Sequence, residues 1–231
     1  MKGVFVTGTD TGVGKTRVAA GLIRVFRSHG IEALGMKPVA CGLLNDNGRY
    51  YSEDVDMICR SSGQDLADPD LNPYAFPEPV SPHIAAARHG IVIDISRIST
   101  HFSRIASKTR LVVVEGAGGW EVPISDTQTM ADVALSLQLP VLLVVGLRLG
   151  CLNHALLSAR AIRASGLPLA GWIGNRIDEA FAEAEANLAT LASRMGSAPL
   201  AVLPHSHSPR SAQPELEAAA ARLLGGWRPP H

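Results

Sequence analysis

The chain has 231 residues, 46% of them hydrophobic but only 5% aromatic, and its 21 Lys plus Arg are balanced by 21 Asp plus Glu. Neutrality excludes a global basic field for nucleic acid or an anionic membrane, so any phosphate site has to be local. The length leaves room for two small domains, but an aliphatic, aromatic-poor composition suits helices packed on a parallel sheet in one α/β domain.

Residues 3–7, GVFVT, read as a buried strand, with no apolar run of the signal-peptide kind before them. Cys41, Cys59 and Cys151 are dispersed and form no CxxC pair, which points to a reducing, cytoplasmic setting without a disulfide framework or zinc ribbon. The strand breaks into GTDTGVGKT (8–16), and a helix follows over 15–29, ended by Gly30. In that context the N–H groups of a Gly-rich loop and a helix N-terminus point at phosphate oxygens. Gly12 and Gly14 supply the turn, Lys15 bridges the β- and γ-phosphates, and the Thr16 hydroxyl ligates Mg²⁺. The strict G-x-x-x-x-G-K-[ST] pattern asks for glycine at position 9, whereas this chain has Thr9, with Gly8 one place earlier.

ALGMKPV (33–39) reads as the next strand and places Lys37 in a buried pattern just before Pro38. A lysine there either snorkels from a sheet edge or works in the site. From 42 to 82 the rhythm changes, with NDNGRYY, the short acidic helix candidate SEDVDMICRSS and the Pro-rich DPDLNPYAFPEPVSP. An irregular segment of that length is functional or poorly ordered. Asp54 is a candidate Mg²⁺ carboxylate, although Glu53 and Asp56 are equally acidic and a solvated helix N-terminus is the alternative. A helix over 94–108 leads to the strand RLVVVEG (110–116). Glu115 follows LVVV and precedes Gly116-Ala117-Gly118-Gly119, at the carboxyl end of a central strand, where doubly wound sheets hold their ligands.

After a helix over 129–138 comes PVLLVVG (140–146), far shorter than the roughly 20 residues that span a bilayer. RLGCLNHALLSA (148–159) turns at Gly150 into a helix over 153–165 with Asn153 in its first turn; its free backbone donors suit a carboxylate, or the segment is a plain βα junction. The strand LAGWIGN (169–175) ends at Asn175-Arg176, and NRID faintly resembles a base-reading N-K-x-D motif. The amide either reads a purine edge or forms a turn. A helix over 179–195, a strand over 198–204 and a helix over 215–224 complete the alternation, and GGWRPPH (225–231) reads as a loose tail. The histidines of HSH (205–207) and PHIAAARH (82–89) lack metal-site spacing. The βα alternation predicts a doubly wound, mostly parallel sheet with helices on both faces, as one P-loop NTPase-like domain over 1–224.

Taken in order, VFVTGTDTGVGKT, KPVACG, SEDVD, PVSPHIAA, VVVEGAGGWEVPI, ADVA, LGCLNHALLSARAI and GWIGNR resemble the dethiobiotin synthetase family, and they cover most of the chain. The resemblance implies an ATP- and Mg²⁺-dependent ligase that closes a ureido ring on 7,8-diaminopelargonate with CO₂. It implies that Gly12, Val13, Gly14, Lys15, Thr16 and Arg17 cradle the nucleotide together with Gly116, Ala117 and Gly118, and that Thr16, Asp54 and Glu115 surround Mg²⁺. Lys37 would act on the substrate carbamate, and Asn175, Arg176, Pro204, His205 and Ser206 would line the base. Gly150, Cys151, Leu152 and Asn153 would bind the substrate carboxylate from the partner subunit of a homodimer. Where the family has Ser or Thr four residues after the lysine, this chain has Cys41, a weaker donor. ParA/MinD-like switch ATPases resemble the same pattern but carry a lysine five residues before the P-loop lysine, where this chain has Asp10.

Overall fold

Short aliphatic runs buried at every position, such as those of residues 3–8 and 141–147, alternate with segments of helical periodicity and produce an alternation of strands and helices. In chain order the computed structural model, which describes residues 2–206 and 212–225, begins with β1 (Gly3–Gly8), α1 (Lys15–Ser28), β2 (Ala33–Met36) and β3 (Val39–Cys41). Next come β4 (Leu44–Asp46), β5 (Arg49–Tyr51), α2 (Glu53–Ser62), β6 (Tyr74–Phe76), α3 (Pro82–Arg88) and α4 (Ile95–Ala106). Then follow β7 (Leu111–Gly119), α5 (Met130–Leu137), β8 (Val141–Leu147), α6 (Cys151–Ala164), β9 (Leu169–Arg176), α7 (Ala184–Met195), β10 (Ala201–Leu203) and α8 (Gln213–Gly225).

Six strands form one sheet in the order β10-β9-β8-β1-β7-β2, and every neighbouring pair is parallel. Alternate residues feed two cores. Val4, Val6, Val113, Leu142, Val144 and Ile173 pack under α1, α2 and α8, whereas Phe5, Val112, Val114, Leu143, Val145 and Trp172 pack under α3 to α7. Burial on both faces is what makes these strands near-continuous Val/Leu/Ile runs, each such side chain adding roughly 1.5–3 kcal/mol when fully buried. The parallel order leaves the carboxyl ends of all six strands on one side, where the loops that follow them converge.

The run expected as one strand over 33–39 is two. Pro38 has no N–H to continue the ladder, and beyond it β3 leaves the main sheet and pairs in parallel with β6. The irregular 42–82 segment holds a hairpin, β4 against β5, around Asn47-Gly48. Both residues have positive φ, 51° and 88°, the conformation that an Asn-Gly hairpin turn demands. The acidic helix expected there is α2, N-capped by Ser52 through the Val55 N–H at 3.3 Å. Helix α6 starts at Cys151 rather than at 153, and α7 at Ala184 rather than at 179. Of the expected tail, 226–231 lie outside the described residues, as does residue 207 of HSH. Among the described residues no helix is long and apolar enough to cross a membrane, and all three cysteines are free.

Candidate active site

The loop after β1 carries two residues in left-handed conformation, Gly12 at φ 74° and Gly14 at φ 93°. Gly14 caps α1 without a side chain, and a Cβ on it would lie 2.2 Å from Asn175 Nδ2. The Asn175 amide, buried at the end of β9, donates to the Val13 carbonyl at 2.9 Å and accepts from Arg17 Nη1 at 2.9 Å. It therefore braces the back of the loop. Thr9, at the position of the strict-pattern glycine, keeps negative φ and donates its N–H to Val144 O at 2.9 Å, prolonging the strand pairing. No glycine is needed there.

Sheet register decides what meets Glu115. In the β2–β7 ladder Met36 lies opposite Val114, so Lys37 comes level with Glu115. Both share the parity of Val113, whose side chain faces α1 and α2. Gly35, on the same face, has no Cβ, which is what admits Ile58 of α2; a Cβ would sit 2.1 Å from Ile58 Cγ2. Asp54 stands one turn before Ile58 and so projects over the same strand ends. The groups meet accordingly. Lys37 Nζ lies 2.6 Å from Glu115 Oε1, 3.1 Å from Asp54 Oδ2 and 3.3 Å from Gly116 O. Thr16 Oγ1, in the first turn of α1, is 2.7 Å from Asp54 Oδ1 and 2.8 Å from Glu115 Oε1. Lys15 Nζ donates to Asp10 O at 2.8 Å.

Burial works against the Lys37 ammonium, but Glu115 and Asp54 more than offset it and hold its pKa above the ordinary lysine value. Burial pushes the Glu115 carboxyl up, Lys37 pulling back and Asp54 adding to the rise. Asp54 also feels burial, which raises it, yet Lys37 and the Thr16 hydroxyl bring it below the ordinary aspartate value. For the cluster, retention of the proton on Lys37 governs, because two carboxylates face it. Burial and then the nearby charge of Lys37 lower the Lys15 pKa from 10.5 to about 8.

A cavity of ≈ 700 Å³ joins these groups. It is floored by Gly12, Gly14, Lys15 and Thr16 and walled by Lys37, Asp54, Glu115, Ala117 and Gly118. Its far side is made by Val39, Cys41, Val122 and the loop Pro79-Val80-Ser81-Pro82. Burial raises the Cys41 thiol to about 11, so it faces the cavity as a neutral S–H. The 79–82 loop, like Val39 and Val122, received no site role from the sequence: PVSP opens one of the motifs that carry the family resemblance, but no periodicity or charge marks it as a wall.

The remaining expected residues fall in two other places. Arg17 also donates to Pro204 O at 2.8 Å, so Asn175, Arg17 and Pro204 form one group beside α1. Arg176 pairs with Glu185, and His205 Nδ1 lies 3.9 Å from Glu179. Half-buried Ser206 follows it. Gly150, at φ 93°, turns the chain into α6, where Cys151 is buried with its Sγ 3.9 Å from Asn187 Oδ1, Leu152 is half-buried and Asn153 is exposed. None of these four lines the cavity.

The donors fit a hard divalent cation. Thr16 has one hydroxyl hydrogen but two carboxylate oxygens within 2.8 Å, and Glu115 Oε2 is buried without a hydrogen-bond partner among the described residues. A cation held by Thr16, Asp54 and Glu115 would relieve both. Among the described residues no group of three or more His, Cys, Asp or Glu gathers as a metal site; Mg²⁺ is commonly held by one or two carboxylates with phosphates and water.

A six-stranded parallel sheet with a Gly-Lys-Thr loop after its central strand defines a P-loop nucleotide-binding protein. Solved structures agree in fold. The MinC:MinD complex of Aquifex aeolicus matches with TM-score 0.60 and 13% identity over 100% of this chain and 99% of that one. MinD with Mg-ADP from Pyrococcus horikoshii OT3 matches with TM-score 0.60 and 18% identity over 97% of each. The AAA domain family matches residues 2–212. More specifically, ATP-dependent dethiobiotin synthetase BioD of Aromatoleum aromaticum is 47% identical over 96% of this chain and 97% of its own length. That of Nitrosospira multiformis is 46% identical over 90% of each. The chain belongs to the dethiobiotin synthetase family.

Proposed function

We propose that this protein forms dethiobiotin from 7,8-diaminopelargonate, CO₂ and ATP, as a single domain over residues 1–224 working in the cytoplasm. The observation that carries this reading is the cavity itself, where two lysines and two carboxylates converge beside a P-loop. One amine of the diamine takes up CO₂ and loses a proton to give a carbamate. A carbamate oxygen attacks the γ-phosphorus and ADP leaves; the second amine then attacks the carbonyl of the mixed anhydride and releases phosphate.

The phosphoryl transfer brings an anion onto a polyanion, so the work of the chain is mainly positioning and neutralisation. The loop N–H groups and Lys15 bind the phosphates. Lys37, kept protonated by Glu115 and Asp54, stabilises the carbamate oxygens. Mg²⁺, held by Thr16, Asp54 and Glu115, would neutralise charge on the phosphates. Gly116, Ala117 and Gly118 would flank the nucleotide, and Asn175, Arg176, Pro204, His205 and Ser206 would surround the base, with Asn175 acting from its place behind the loop. Cys41 would offer its S–H to substrate.

Gly150, Cys151, Leu152 and Asn153 would hold the substrate carboxylate for the partner subunit of a homodimer. Their position off the cavity supports action in trans, as does the apolar surface at Leu149 and Leu157, 89% and 55% exposed. The test omits one component at a time. Phosphate release is expected only with diamine, bicarbonate, Mg²⁺ and ATP together; release that persists without the diamine overturns the ligase reading in favour of a nucleotide switch.

A further inference from the structure

Lys37 is fixed at its backbone as well as at its ammonium. It follows the last residue of β2, the edge strand of the main sheet. Its N–H donates to Leu71 O at 2.9 Å, and its carbonyl accepts from Asn72 Nδ2 at 2.6 Å. The same Asn72 nitrogen donates to Tyr74 O at 3.0 Å. Residues 71–72 thus occupy the position of a missing strand at the point where Pro38 ends the ladder. The segment is anchored from behind. Asp70, 6% exposed, meets His101 Nδ1 of α4 at 2.7 Å, with Arg104 and Lys108 each 3.5 Å away.

We propose that Asn72 is a positioning residue for Lys37, and that the Asp70–His101 contact holds Asn72 in place, so that α4 sets where the ammonium meets the cavity. A lysine side chain has four rotatable bonds, and the two carboxylates orient only its tip. Fixing the peptide on both sides removes the remaining freedom at its root, and a displacement of about 1 Å at a reacting group costs on the order of 10²-fold in rate. The inference rests on the role given to Lys37 above.

Asn72→Asp keeps the volume but sets carboxylate oxygens against the carbonyls of Lys37 and Tyr74. Hydrogen exchange at the Lys37 amide reads the strap without any activity and is expected to quicken at least tenfold. Turnover with the diamine is expected to fall about tenfold or more, with KM for ATP and the affinity for ADP within twofold of the native protein. An unchanged Lys37 amide overturns the proposal, as does faster exchange with native turnover, or a turnover loss matched by lost ADP affinity. Should Asn72→Asp not fold, Asp70→Ala and Asp70→Asn decide by the same readouts. Asparagine, which still accepts from His101, is expected to restore what alanine loses; equal behaviour of the two overturns the tether. A native protein inactive with the diamine would fail the functional reading alone, since the exchange comparison still judges the strap.

Discussion

Lys37 Nζ, almost wholly buried, has two carboxylates and a carbonyl within 3.3 Å. Gln in its place keeps hydrogen bonding but removes the charge. Lys37→Gln is therefore expected to bind ADP as the native protein does and to lose roughly 10²–10³-fold in turnover, the range for one electrostatic donor; a variant active within a few-fold removes the assignment. Lys15 has an acid-base consequence of its own. Its pKa of about 8 in the free site means that it gives up its proton as pH rises through that value. Bound phosphate favours the charged form, so nucleotide binding above about pH 8 takes up a proton and weakens by up to about tenfold per pH unit. A nucleotide titration from pH 7 to 9.5 should be flat at first and then fall, whereas a flat profile throughout contradicts the lowered pKa. The residues that do this were legible in sequence where local pattern marks them. GKT after a strand, Glu115 after LVVV, and a lysine inside an apolar run each violate or complete a pattern. Asn72 does neither, because its work lies in a contact across 35 residues.

At the scale of elements, the site depends on how closely α2 approaches β2. Gly35→Ala places a Cβ 2.1 Å from Ile58 Cγ2 and 2.9 Å from Ile23 Cδ1, and overpacking of this kind costs about 1–3 kcal/mol. Helix α2 has to shift, carrying Asp54 away from Thr16 and Lys37. The expected result is a lower Tm, by about 2–4 °C per kcal/mol, together with weaker Mg²⁺ dependence of ATP binding. Calorimetry and a nucleotide titration with and without Mg²⁺ check both, and native values in the two measurements would show that α2 does not need this glycine. The strand and helix alternation could be read from the sequence because burial on both faces writes itself as aliphatic runs. The break at Pro38, the β3–β6 pairing and the 79–82 wall could not, since irregular backbone leaves no period to detect. The Asn47-Gly48 turn did carry a signal, the dipeptide itself, within a segment that reads as irregular.

For the whole molecule, the fold and the chemistry separate. The MinD structures share the architecture at 13–18% identity, yet the position where the switch ATPases carry their extra lysine is Asp10 here. Its carbonyl accepts from Lys15, and its carboxylate pairs with Arg148 on the loop before α6. Asp10 thus ties the P-loop to the neighbouring strand connection. The placing of Lys37 beside the P-loop suits the proposed attack by an anionic carbamate oxygen rather than by water. The most direct measurement supplies ¹³C-bicarbonate with ATP, Mg²⁺ and 7,8-diaminopelargonate and weighs the product. The account predicts dethiobiotin carrying one ¹³C, formed in equal amount to ADP. ADP formed without labelled dethiobiotin would contradict it.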